Sequence, residues 1–270
     1  GLSAPTDKDR KDIEFGAEKG YDFVSLSFVK QASDIEEVRE ILDEHDSDMH
    51  IISKIEHRKA VENFDEILEA SDAIMVARGD LGVEMNPAKL PKLQKEMIEK
   101  CNTAGKPVIT ATQMMESMTE NPTATRAEIS DVGNAVLDGT DAVMLSGETA
   151  VGEYPVKTVN FMAEILREVE QTMNGDIHHT VKHRPDTTRE IICKNVWQAS
   201  RDKNAELIVA HTTSGSTARN ISKYRPETPI IAFADTEITE RQLQLVCGVR
   251  PYYQETYETV DAMLERSARR

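Results

Sequence analysis

The sequence predicts an α/β protein: a parallel sheet of about five βα units, followed by a smaller α/β unit. Short apolar runs rich in β-branched residues recur at intervals of two to three dozen residues. Each is followed by a polar turn and an amphipathic stretch, as in residues 32–45 and 89–104. The polar residues that stand out, Ser27, Lys54, Glu56, Asp80, Thr112, Ser146 and Glu148, all fall at the C-terminal ends of these runs.

The first predicted strand is Phe23-Val24-Ser25-Leu26-Ser27-Phe28, and a helical stretch follows from Ala32 to His45. The second, Ile51-Ile52-Ser53, runs directly into Lys54-Ile55-Glu56. Strand side chains alternate, so Lys54 and Glu56 share a face at the tip of an otherwise buried strand. Packing alone gives no reason for that pair. The third strand, Ala73-Ile74-Met75-Val76, continues into Arg78-Gly79-Asp80-Leu81-Gly82, a carboxylate flanked by glycines. Taken singly, a Lys-x-Glu is an ordinary surface ion pair and a Gly-Asp-Leu-Gly an ordinary turn. Their recurrence at one structural position points instead to a site for a divalent cation carrying a phosphorylated or carboxylated substrate. The helix from Lys89 to Ala104 and the strands Pro107 to Thr112 and Ala142 to Ser146 complete this half.

Both a (β/α)8 barrel and an open doubly wound sheet build sites at the carboxyl ends of their strands, so the pattern leaves both open. Five units are too few to close an eight-stranded barrel. With a start at Gly1-Leu2-Ser3-Ala4-Pro5-Thr6 in loop-like sequence, the chain reads as part of a longer protein.

Residues 173–186 break the periodicity and read as a polar linker, although His178, His179 and His183 cluster there. A new α/β rhythm follows: a helix from Arg189 to Arg201, strands at Leu207–Ala210, Pro229–Phe233 and Val249–Tyr253, and helices opening at Ser216 and Glu237. A further helix opens at Asp261-Ala262-Met263-Leu264. The loop Thr212-Thr213-Ser214-Gly215-Ser216-Thr217 joins strand to helix with five hydroxyls and a glycine, the composition of a phosphate nest as well as of a plain helix cap.

The 270 residues suit one large domain or two smaller ones. A net charge of −16 gives nucleic-acid binding little electrostatic support, and the excess acid lies almost wholly in residues 1–172, as on a solvated ring of helices. Three cysteines without ligand spacing, Cys101, Cys193 and Cys247, argue against a disulfide framework. No stretch reads as a signal peptide or a membrane span, so the cytoplasm is the expected location.

Several ordered motifs resemble the pyruvate kinase family: Ser53-Lys54-Ile55-Glu56, Ala77-Arg78-Gly79-Asp80-Leu81-Gly82-Val83-Glu84, Lys106 to Met114 with Glu116-Ser117-Met118, Asn121-Pro122-Thr123 with Thr125-Arg126-Ala127-Glu128, and Asp138 to Ala150. His57 departs from the small polar residue usual after Lys-Ile-Glu. The resemblance implies the C-terminal part of a catalytic TIM (β/α)8 barrel over 1–172, a linker over 173–186 and a truncated doubly wound effector-binding domain over 187–270.

It also implies phosphoryl transfer between phosphoenolpyruvate and ADP in glycolysis, giving pyruvate and ATP. Lys54 would face the transferring phosphoryl group, Glu56 and Asp80 would hold Mg²⁺ (or Mn²⁺), and the Gly79 and Asp80 amides would receive the substrate carboxylate. Thr112 would complete that pocket, with Ser146 and Glu148 on a water-linked proton route. K⁺ is expected for the family, with ligands outside this chain. The Thr212–Thr217 loop would take the phosphate of a sugar-phosphate effector. The resemblance further implies a homotetramer when the barrel is complete and little activity for this stretch alone, while the charge and the lack of an apolar span lead us to expect no nucleic-acid or membrane partner. The alternatives are another Mg²⁺-dependent pyruvate or phosphoenolpyruvate barrel enzyme, of aldolase or carboxylase type, and a non-catalytic effector-binding remnant.

Overall fold

A computed structural model describes residues 5–172, 185 and 187–255. The predicted linker, its histidines and the helix expected from Asp261 lie outside the described residues, apart from position 185.

The chain opens with an element that the apolar pattern did not announce, α1 (Asp7–Glu18). Its nucleus is a capping box: Thr6 accepts the Asp9 N–H while the Asp9 carboxylate accepts the Thr6 N–H. Only Ile13 and Gly16 are buried along it, too thin a stripe to read as periodic. Then come β1 (Phe23–Leu26), α2 (Ala32–Glu44), β2 (His50–Ile55), the short α3 (Arg58–Glu62) and α4 (Phe64–Ala70), and β3 (Ala73–Ala77). They are followed by α5 (Arg78–Glu84), α6 (Leu90–Ala104), β4 (Val108–Ala111), α7 (Arg126–Leu137), β5 (Ala142–Met144), α8 (Gly147–Ala150) and α9 (Pro155–Glu170). Gly105, left-handed at φ 68°, ends α6, as glycine does where a helix must stop short of the next strand.

All five strands are parallel and lie in sequence order, β1-β2-β3-β4-β5. An unbroken order without a reversal is that of consecutive barrel staves, whereas a doubly wound sheet turns back at a switch point. The topology therefore resolves the alternative that the pattern left open. Alternate residues separate two cores. Ile51, Ile55, Ile74, Val76 and Val108 pack under the helices with Val38, Leu42, Ile67 and Ile98. Ile52, Ala73, Met75, Ile109 and Ala111 form a second cluster on the opposite, concave face, flanked by Phe23, Ala142 and Met144.

The second unit comprises α10 (Thr188–Asp202), β6 (Ile208–Thr212), α11 (Ser216–Ser222), β7 (Ile230–Ala234), α12 (Glu237–Leu243) and β8 (Val249–Tyr253). Its sheet is parallel, in the order β6-β7-β8. Ile208, Ala210, Ile230 and Ala232 point to one face and pack on Cys193, Ala218, Ile221 and Leu243 from the three helices. No order reversal occurs among the described strands. The helix expected to open at Glu237 ends at Leu243, and a run of turns carries the chain from Gln244 to Gly248.

This unit docks on the N-terminal ends of the first sheet's strands. Arg225 pairs with Asp141 at 2.9 Å and donates to Asn102 Oδ1 and the Gly139 carbonyl, and the Cys247 N–H also reaches Asp141. Gln242 donates to the carbonyls of Asp22 and Asp48, and Leu245 joins the concave cluster. Among the described residues, none of these contacts reaches the C-terminal ends of β1 to β5. No described helix is long and apolar enough to cross a membrane.

Candidate active site

The C-terminal strand ends carry three small constellations. The first rises from β2. Lys54 and Ile52 alternate onto the concave face, while Ser53 and Ile55 are fully buried toward the helices. β1 and β2 pair with Leu26 opposite Ser53, which brings Ser27 level with Lys54. The ammonium donates to Ser27 Oγ at 2.9 Å and lies 2.5 Å from Glu56 Oε1. Glu56 is 4% exposed, and its other oxygen accepts the Phe28 N–H at 2.8 Å. Phe28 is left-handed at φ 58° and 64% exposed, a conformation a bulky residue holds only under local constraint.

The second constellation spans β3 and β4. The glycine-flanked carboxylate of the sequence is the first turn of α5, with Asp80 exposed there. Ile55 pairs with Val76, so Glu56 and the start of α5 lie at the same end of adjacent strands. β4 ends at Ala111, one residue before the strand end expected from sequence, because Thr112 and Gln113 both turn left-handed, at φ 68° and 54°. That turn aims Thr112 Oγ1 at α5: it accepts the Gly79 N–H at 2.7 Å and donates to the Ala111 carbonyl at 2.6 Å. The Gly79 amide is thus already engaged by the Thr112 hydroxyl.

The third joins β4 to β5. Glu148, 3% exposed, accepts the Ser146 N–H at 2.7 Å and the Met115 N–H at 3.2 Å. Both of its oxygens therefore brace loop backbone. Ser146 Oγ is buried with no hydrogen-bond partner among the described residues.

The structure brings Lys54 together with Glu56, Gly79 with Thr112, and Ser146 with Glu148, on neighbouring strand ends. Glu56 and Asp80 are hard oxygen donors of the kind that Mg²⁺ takes in small number, keeping most of its shell for water. Among the described residues no group of three or more His, Cys, Asp or Glu converges as a closed metal cage. His57, the departure from the family pattern, caps α3: its Nδ1 accepts the Lys59 N–H at 3.0 Å, and its Nε2 lies 3.3 Å from Glu84.

Ser27 and Arg78 are the contributors that sequence reasoning passed over as site residues. Ser27 showed only as a polar strand end, and the reach of the Arg78 side chain to the next strand leaves no local signal. The Thr212–Thr217 loop lies in the second unit. Gly215 is left-handed at φ 74° and opens α11, Thr213 and Ser214 are exposed, and Thr239 Oγ1 donates to the Thr213 carbonyl.

Comparison with known proteins accounts for this arrangement. The pyruvate kinase barrel domain matches residues 1–159, and the pyruvate kinase alpha/beta domain matches residues 190–270. The pyruvate kinase of Bacillus licheniformis is 48% identical over 100% of this chain and 46% of its own length. That of Dictyostelium discoideum is 48% identical over 98% of this chain and 54% of its own. A solved pyruvate kinase structure from Cryptosporidium parvum superposes with a TM-score of 0.94 at 42% identity, covering 98% of this chain and 56% of that one. The chain spans about half the length of the curated relatives it matches. By sequence, by fold and by the order of its two units, this chain belongs to the pyruvate kinase family.

Proposed function

We propose that the protein works in phosphoryl transfer between phosphoenolpyruvate and ADP, giving pyruvate and ATP. The observation that carries this reading is the pairing of Lys54 with the buried Glu56 on the open face of β2, beside the start of α5. In the transfer, the bond from phosphorus to the enol oxygen breaks while one to a terminal ADP oxygen forms, and the enolate carbon then takes a proton. Charge spreads over the phosphoryl oxygens, so positioning and electrostatic complementarity carry most of the catalysis.

Lys54 lies where it would face that developing charge, with Ser27 fixing its direction. Glu56 and Asp80 would hold Mg²⁺ or Mn²⁺, which when bound neutralises phosphoryl and carboxylate oxygens. The α5 amides at Gly79 and Asp80 would receive the substrate carboxylate. Thr112 would close the pocket, and its hydroxyl must rotate off the Ala111 carbonyl to reach the reacting carbon. Ser146, whose buried hydroxyl has no partner among the described residues, would serve a water-linked proton route, with Glu148 holding its loop.

The remaining roles follow the family. The Thr212–Thr217 loop would receive a sugar-phosphate effector, K⁺ would serve the complete site, and a cytoplasmic homotetramer is the expected assembly. Calorimetric titration tests the central claim. Phosphoenolpyruvate should bind the chain in the presence of Mg²⁺, and the metal-dependent part should vanish in Glu56→Gln. Binding that ignores both metal and Glu56 would refute this site.

A further inference from the structure

We propose that Arg78 is a positioning residue, a latch that holds the Thr112–Gln113 turn in its left-handed form and so keeps the Thr112 hydroxyl against Gly79. Nothing in the sequence marks it out, since an arginine before Gly-Asp reads as a charged helix start. In the structure the side chain crosses from α5 to the end of β4 and is 12% exposed. Its Nε and Nη2 both donate to the Thr112 carbonyl, at 3.2 and 2.8 Å. Nη2 also donates to the Gln113 carbonyl at 3.0 Å and lies 2.9 Å from Met114 Sδ. Nη1 pairs with Asp131 of α7 at 2.7 Å and reaches Gln94 of α6 at 3.5 Å. The guanidinium donors are thus spent on one turn and on the two helices that flank it.

The turn needs such a hold. Thr112 is β-branched and left-handed, a conformation that costs energy unless the surroundings impose it. Two consecutive left-handed residues point their carbonyls the same way, and a planar fork of donors on a fixed stem meets both. The connection is reciprocal. Arg78 grips the Thr112 carbonyl, while the Thr112 hydroxyl grips the N–H of Gly79, the neighbour of Arg78. Lysine has the charge but not the fork, so it would not restore the geometry. Asp131 holds the far side of the guanidinium, which places α7 in the same latch.

This inference rests on the reading of Gly79, Asp80 and Thr112 as the substrate cradle, and its test keeps the two apart. Amide hydrogen exchange of the 270-residue chain, resolved by residue, reads the latch without substrate. Arg78→Met should speed exchange at Gly79 about 10-fold or more, with less than a twofold change at Ile55 and Val76. The double variant Arg78→Met/Asp131→Asn also removes the charge of the half-exposed Asp131, which would otherwise lose its cation, and should show the same local effect if the single variant folds poorly. Arg78→Lys should behave like Arg78→Met, whereas millimolar guanidinium added to Arg78→Ala should restore protection at Gly79. Unchanged Gly79 exchange, or a uniform rise across all strands, would overturn the latch and leave Arg78 with a general structural role. Phosphoenolpyruvate titration with Mg²⁺ on the same variants reads the cradle. Weaker binding in step with Gly79 exchange supports both claims, whereas a working latch in a chain that never binds phosphoenolpyruvate refutes the cradle alone.

Discussion

At the scale of single residues, Lys54 separates chemistry from folding. Its side chain is 26% exposed and its ammonium bonds to groups at the strand tips, Ser27 and Glu56, so its removal leaves the packed core intact. In a complete barrel, Lys54→Met is expected to lower kcat by about 10²-fold or more, with little change in metal affinity or melting temperature. A variant that unfolds, or that keeps full turnover, would assign the lysine to structure instead. His50 acts at the other end of the same strand. Burial holds its imidazole below the ordinary value of 6.5, with Arg219 and Arg39 acting in the same direction against Asp72 and Asp48. The unfolded chain therefore takes up the proton first as pH falls. Stability should be constant above the ordinary value, fall as pH drops below it, and level off once pH passes the folded value. Melting curves from pH 8 to pH 5 should decline less steeply in His50→Gln than in the parent chain.

At the scale of elements, the strands were legible because buried parallel strands are continuous apolar runs, and Ile51-Ile52, Ala73 to Val76 and Val108-Ile109 are such runs. Lys54 and Glu56 were legible for the converse reason, as charges where a run should end in a turn. Two features escaped. α1 depends on a capping box more than on an apolar stripe. The left-handed turn at Thr112 depends on the Arg78 side chain arriving from another strand end, and neighbouring sequence carries no trace of that. The short helix α8 shows how tightly such ends are packed. A Cβ at Gly152 would stand 2.5 Å from the Glu148 carbonyl oxygen, a backbone atom that cannot step aside alone. Gly152→Ala is therefore expected to cost about 1–3 kcal/mol in denaturant unfolding and to loosen the Glu148 bonds to Ser146 and Met115. An unchanged unfolding midpoint would show that α8 shifts freely.

At the scale of the molecule, the two units meet through buried charge. Arg225 and Asp141 are 9% and 5% exposed, and Asp141 also accepts the N–H groups of Val108 and Cys247. Arg225→Met would leave that carboxylate buried without its cation, and an expected loss of about 3–5 kcal/mol should appear in calorimetry as a split of one transition into two. A single transition with an unchanged midpoint would mean that the apolar contacts around Leu245 suffice to join the units. The joint occupies the strand starts, and the residues proposed for chemistry occupy the strand finishes. The links between the units fall at the bases of β1, β2 and β5, and the two ends of the staves answer to different demands. A lineage can rework the tip loops to retune substrate or cation preference without reopening the joint. It can equally retune the joint and leave the tips as they are, so that innovation at one end does not put inheritance at the other at risk.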